Sequence, residues 1–125
     1  MGRIDHLPMI AVGGAGGALV RWGIAEAWGV DSFPWPTLVV NVIGCALLAL
    51  ATSDGMPVRH QRLFGVGFCG GLTTFSTLSL EVVQLHEHGD VTTAISYLLA
   101  SVILGLIAFV GTRSVRAARG TRTRT

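Results

Sequence analysis

Charged residues are scarce in this sequence. Only 13% of its 125 residues are acidic or basic, whereas a soluble domain averages about 25%. Half of the residues are hydrophobic and the mean hydropathy is +0.61. The shortage of charge argues against an ordinary soluble domain and predicts a membrane protein built as one compact unit.

Lysine is absent, so all nine basic residues are arginine, and five of them close the chain, at positions 113, 116, 119, 122 and 124. A basic tail occurs in nucleic-acid-binding proteins. The flank of a membrane span explains it more simply, and we expect no nucleic-acid partner. We predict that residues 113–125 form a disordered basic tail.

Cysteine is also rare. Cys45 and Cys69 both lie in apolar runs, without CxxC spacing and without clustered histidines, so they give no case for a zinc site. Such thiols behave as small buried hydrophobes. Because the sequence also lacks a recognisable nucleophile–base pair, we predict that the protein is not an enzyme.

Four apolar runs follow the short polar start at residues 1–6, over about 7–28, 37–52, 63–85 and 91–111. A membrane helix needs about 20 apolar residues. Arg3 and the Ala25-Glu26-Ala27 sequence would also suit a signal peptide, but three further apolar runs favour a span. We predict an all-α membrane protein with four transmembrane helices in a domain over residues 7–112.

Four spans place both termini and the 53–62 loop on one side of the membrane. Arg3, Arg59, Arg62 and the tail arginines collect there, whereas the opposite loops hold the acids Glu26, Asp31, Glu87 and Asp90. The positive-inside rule then predicts cytoplasmic termini in the inner or plasma membrane.

The third run combines glycines with a dense series of hydroxyls, at Thr73, Thr74, Ser76, Thr77 and Ser79. Glycines weaken a helix, and we predict a break near residues 70–76. Irregular backbone at membrane depth usually marks an ion or substrate site. The alternative is a continuous helix in which Gly67-x-x-x-Gly71 serves close packing.

No carboxylate lies in the middle of a span. A proton-coupled carrier usually needs one, and a cation pore usually shows acidic rings. The polar groups at membrane depth are instead neutral hydrogen-bond donors, which suit the binding of an anion. They belong to Asn41, Thr74, Ser76, Thr77, Tyr97 and Ser101. The positive ring edge of Phe75 would help to bind the anion, and the charge of Arg21 would raise the anion concentration nearby. Alternatively, Asn41 joins helices, Phe75 is core and Arg21 reaches the headgroups.

Three motifs resemble the Fluc/CrcB fluoride-channel family. They are Gly13-Gly14-x-Gly16-Gly17-Ala18-x-x-Arg21, Pro36-Thr37-Leu38-x-x-Asn41-x-x-Gly44, and Gly70-Gly71-Leu72-Thr73-Thr74-Phe75-Ser76-Thr77 followed by Glu81. The third motif is highly specific, and the resemblance covers about residues 7–111. It implies passive fluoride export through two pores at the interface of an antiparallel dimer.

The resemblance also assigns residues. It implies a structural sodium ion held by the backbone carbonyls of Gly70 and Thr73. It implies a pore lined by Asn41, Phe75, Tyr97 and Ser101, with Arg21 at the vestibule. The oxygen ligands suit a hard cation.

One position departs from the family, which often has a second phenylalanine where this chain has Leu78. Together with the one-sided arginines, this motivates the hypothesis that the chain is one half of an antiparallel heterodimer; a homodimer stays open.

Two other functions compete with the fluoride channel. A proton-coupled multidrug exporter would want a first-span carboxylate, and Glu26 lies only at the span's end. A non-transporting membrane scaffold would use the small residues for packing alone.

Overall fold

A computed structural model describes residues 6–29 and 32–122. The regular structure in these ranges is helical. Helix α1 is Leu7–Trp28 and α2 is Trp35–Ala51. Helix α3 covers residues 58–72, as Val58–His60, Gln61–Cys69 and Gly70–Leu72 in succession. Helix α4 is Phe75–Glu87 and α5 is Val91–Arg122. The predictions for Arg3, Asp31 and Arg124 lie outside the described residues.

Three stretches are long and apolar enough to cross a membrane: Leu7–Trp28, Val58–Glu87 and Val91–Thr121. The apolar helix α2 is shorter, at 17 residues. The all-helical membrane architecture predicted from the apolar runs is therefore confirmed at this level.

Helices α1 and α3 run side by side in the same direction, with their backbones in close contact. A Cβ added at Gly17 would collide with the Phe68 carbonyl, and one at Gly71 with the Gly14 carbonyl. Only glycine permits this approach. The glycines of the first span therefore allow α1 and α3 to pack backbone against backbone.

Helix α2 packs against α5. Tyr97, Ser101 and Gly105 lie one turn apart on α5, so they share a face, and all three are buried. Tyr97 is fully buried, in a core cluster with Leu38 and Leu78. These contacts fix the polar side chains of α5 against α2 and α4.

The chain leaves the helical conformation between α3 and α4. Thr73 has φ −80° and ψ 153°, and Thr74 has φ −149° and ψ 121°, so both are extended. Before this point, residues 61–69 are wound as a π-helix, a form concentrated at functional sites.

The prediction of a disordered tail is wrong for residues 113–122, because α5 continues through Arg122. Ala117, Ala118 and the arginines are strong helix formers, and they follow an already nucleated helix, so extension adds one hydrogen bond per residue fixed.

Candidate functional site

Asn41 of α2 faces the extended segment between α3 and α4. Its Nδ2 donates to the Thr74 carbonyl at 3.0 Å, and the Thr74 amide donates to its Oδ1 at 2.8 Å. The two bonds fix the orientation of the Asn41 amide. A flipped amide would place its NH₂ group against the Thr74 N–H and its oxygen against the Thr74 carbonyl. For the Thr74 amide, Asn41 therefore replaces the hydrogen bond that a continuous helix would have made to the Gly70 carbonyl.

The Thr74 hydroxyl organises the start of α4. Its Oγ1 accepts the Thr77 amide at 3.1 Å, as an N-cap, and donates to the Thr77 hydroxyl at 3.0 Å. The Ser76 hydroxyl lies 3.2 Å from the same oxygen. The structure thus brings four of the predicted site residues together, Asn41, Thr74, Ser76 and Thr77.

The extended segment also redirects the carbonyls at the end of α3. In a continuous helix the amides of Thr74 and Thr77 would donate to Gly70 and Thr73. They donate instead to Asn41 and to the Thr74 hydroxyl. The Gly70 and Thr73 carbonyls, the predicted cation ligands, are released from those helical bonds.

Arg21 of α1 lies at the same helix end. Its Nε donates to the Gly71 carbonyl at 3.2 Å. A cation at a helix C-terminus is favourable, because the carbonyls there carry partial negative charge. Arg21 thus contacts the third span directly rather than only extending towards the headgroups.

An open groove of about 480 Å³ lies along this segment. It brings together five predicted residues, Asn41, Gly70, Thr73, Thr74 and Phe75, and its other lining residues are mostly apolar. Arg21, Ser76, Thr77, Tyr97 and Ser101 do not line it.

Phe75 and Leu78 differ sharply in environment. Phe75 is 74% exposed at the start of α4, whereas Leu78, one turn later, is 4% exposed in the core. The alternative that Phe75 is a core residue is wrong in the single chain. Its position at the start of α4, before the buried face of the helix, explains the exposure.

Glu81 forms a second polar cluster that the sequence did not reveal. Its carboxylate accepts hydrogen bonds from the Thr37 hydroxyl at 2.8 Å and from the Tyr97 hydroxyl at 2.6 Å. The signal was present in part, because Glu81 lies four residues after Thr77 and continues the same helix face. Which residues oppose that face is decided by packing.

Ser101 is buried at 7% exposure, and its hydroxyl has no hydrogen-bond partner among the described residues. Tyr97, predicted beside it in the pore, bonds Glu81 instead of the Asn41–Thr74 cluster. The predicted site residues therefore fall into one cluster around Thr74, one around Glu81, and the separate hydroxyl of Ser101.

Comparison with known proteins identifies the family. The family described as "CrcB-like protein, Camphor Resistance (CrcB)" matches residues 8–112. A protein of Mycolicibacterium paratuberculosis named "Fluoride-specific ion channel FluC 1" is 39% identical, over 95% of this chain and 98% of its own. One of Thermus thermophilus named "Fluoride-specific ion channel FluC" is 41% identical, over 88% and 93%. The resemblance seen in the sequence is thereby confirmed, and the chain belongs to the CrcB family.

Proposed function

We propose that this protein is a passive fluoride channel that exports fluoride from the cytoplasm and so limits its toxicity. The observation that carries the proposal is the cluster of neutral donors around Thr74, held by Asn41 beside the exposed ring of Phe75. Relatives about 40% identical are named fluoride-specific ion channels. The protein is a membrane channel and not an enzyme.

The donors would replace the water that a small anion loses on entry. Asn41 uses one Nδ2 hydrogen on Thr74 and keeps a second. The hydroxyls of Ser76 and Thr77 can rotate towards an anion, and the edge of the Phe75 ring carries partial positive charge. Arg21, fixed on Gly71, would raise the anion concentration at the mouth.

The helices α3 and α4 act, in this proposal, as one membrane span broken at Thr73 and Thr74. A structural sodium ion suits the break, because the Gly70 and Thr73 carbonyls lose their helical donors there and hard cations prefer oxygen ligands. The ion would supply positive charge that holds the carbonyls of the break in place. The sodium site is tested by comparing the melting temperature of the protein in a sodium salt with that in the salt of a large organic cation.

The functional unit would be an antiparallel dimer. Phe75 and one open side of the groove lie on the surface of the single chain, so a second chain would complete a pore there. The one-sided arginines favour a partner chain of opposite orientation and charge bias over a second copy. The termini of this chain would be cytoplasmic. A reporter at the C-terminus that appears equally on both sides would contradict this fixed orientation.

Fluoride efflux from proteoliposomes tests the function. The chain is reconstituted alone and with a similar chain of reversed arginine bias, and the pair should release fluoride much faster than chloride. Robust efflux by the chain alone would remove the need for a partner. Sealed liposomes in both cases would refute the channel, and substrate-driven proton movement would favour an exporter.

A further inference from the structure

The last helix is much longer than a membrane requires. Helix α5 has 32 residues, about 48 Å at 1.5 Å per residue, while the hydrocarbon core is about 30 Å thick and takes about 20 residues. Residues 112–122 therefore continue as a helix beyond the apolar region. This extension contains four arginines and no acidic residue.

Three of these arginines, Arg113, Arg116 and Arg119, have exposed side chains, and within residues 6–29 and 32–122 none of them pairs with a carboxylate. Arginines three residues apart are displaced by about 60° around a helix. The three guanidinium groups therefore cover a broad sector of the extension instead of a single line.

One side of that sector faces a groove of about 1190 Å³ between the extension and the end of α2. Its lining combines apolar and charged side chains. Leu50, Ile107 and Val115 contribute apolar surface, and Arg113, Arg116 and Arg119 contribute charge. Leu50 and Ile107 belong to the apolar runs, whereas the arginines lie on the extension, so the proposed membrane placement of α5 brings the arginines to the level of the headgroups.

We infer that this groove binds the phosphate headgroup of an anionic phospholipid, with the acyl chains along the apolar part. Guanidinium groups form strong paired hydrogen bonds with phosphate oxygens. The groove also contains the carboxylate of Asp54, but three guanidinium groups outweigh one carboxylate. The inference rests on the proposed membrane placement of α5 and not on fluoride conduction.

Lipid binding is measured on the full chain in neutral detergent, by native mass spectrometry with phosphatidylglycerol and phosphatidylcholine. Removing three cations from the surface should weaken phosphatidylglycerol binding at least about tenfold in the R113Q/R116Q/R119Q variant. The control is R59Q/R62Q, which removes two exposed arginines at the start of α3, near the same end of the bundle but outside the groove. The control should retain binding within about twofold.

A further variant, Asp54→Asn, should tighten phosphatidylglycerol binding several-fold, which a folding defect does not produce. Equal binding of the two lipids by the unaltered chain would overturn the inference. So would equal losses in the triple variant and its control, or displacement of the lipid by a single-stranded oligonucleotide at equal concentration. Binding in detergent does not depend on whether the chain conducts fluoride, so the two proposals fail separately.

Discussion

The side chain of Asn41 pairs with the backbone of Thr74 through two hydrogen bonds, as a neighbouring peptide group would in a sheet. Without it, the extended backbone between α3 and α4 would leave the Thr74 amide unpaired in an apolar setting, which costs about 1–3 kcal/mol. The same residue thus holds the irregular backbone and offers a remaining N–H to an anion. Joining helices and lining a pore are compatible roles for Asn41.

Asn41→Asp should reduce fluoride efflux by about a hundredfold. The change removes the donor to the Thr74 carbonyl, leaves two acceptors facing each other, and adds a charge that repels the anion. Efflux from proteoliposomes, normalised to folded protein, measures the effect. Unchanged efflux would refute the pore assignment of Asn41.

Asn41→Leu tests whether the amide group of this residue is needed, because it adds no charge. It removes both hydrogen bonds to Thr74 without adding charge, so it should lower the melting temperature as well as the efflux. A Leu variant that conducts normally would show that the amide is needed neither to hold the backbone nor to bind the anion.

Phe75→Ala and Leu78→Ala should have opposite effects on stability and on fluoride efflux. Phe75 is 74% exposed, so its removal should change the stability of the chain little but reduce efflux strongly. Leu78 is 4% exposed, and truncating a buried leucine costs about 2–5 kcal/mol. Efflux per folded protein and thermal unfolding should be measured together. If efflux per folded protein falls more in Leu78→Ala than in Phe75→Ala, Leu78 and not Phe75 would be the pore residue.

Gly17→Ala should destabilise the protein by about 1–3 kcal/mol, the usual cost of overpacking. Its new Cβ would meet the Phe68 carbonyl, and backbone cannot move aside as a side chain can. Gly23→Ala on the same helix is the matched control, since its Cβ would meet nothing within 4 Å. Alanine should be neutral or slightly stabilising there. Equal melting temperatures for the two variants would contradict the packing of α1 on α3.

Arg21→Gln should lower efflux several-fold, because it removes both the positive charge and the Nε bond to the Gly71 carbonyl. Arg21→Lys keeps the charge but has no donor at the same place on the chain. Comparing the salt dependence of efflux in the two variants separates the contributions. If Arg21→Lys conducts as fast as the unaltered chain, only the charge matters, and the hydrogen bond to the Gly71 carbonyl has no role in efflux.

The sequence by itself determined the class of the protein. The apolar runs require membrane helices because backbone groups in lipid must bond within the span. The small residues at positions 13, 14, 17 and 71 require close backbone contact, which the structure contains. The hydroxyl-rich motif of the third run identified the family, since so specific a string of residues rarely recurs by chance.

The tertiary structure alone decided the partners of the polar groups. Periodicity places Thr37, Glu81 and Tyr97 on helix faces, but only the packing of α2, α4 and α5 brings the two hydroxyls onto one carboxylate. It likewise separates Tyr97 and Ser101 from Asn41, and buries Leu78 while exposing Phe75. The length of α5 escaped prediction because helix propagation depends on an existing helix as well as on local charge. Contacts between distant segments arise from the relative placement of helices, which no local pattern encodes.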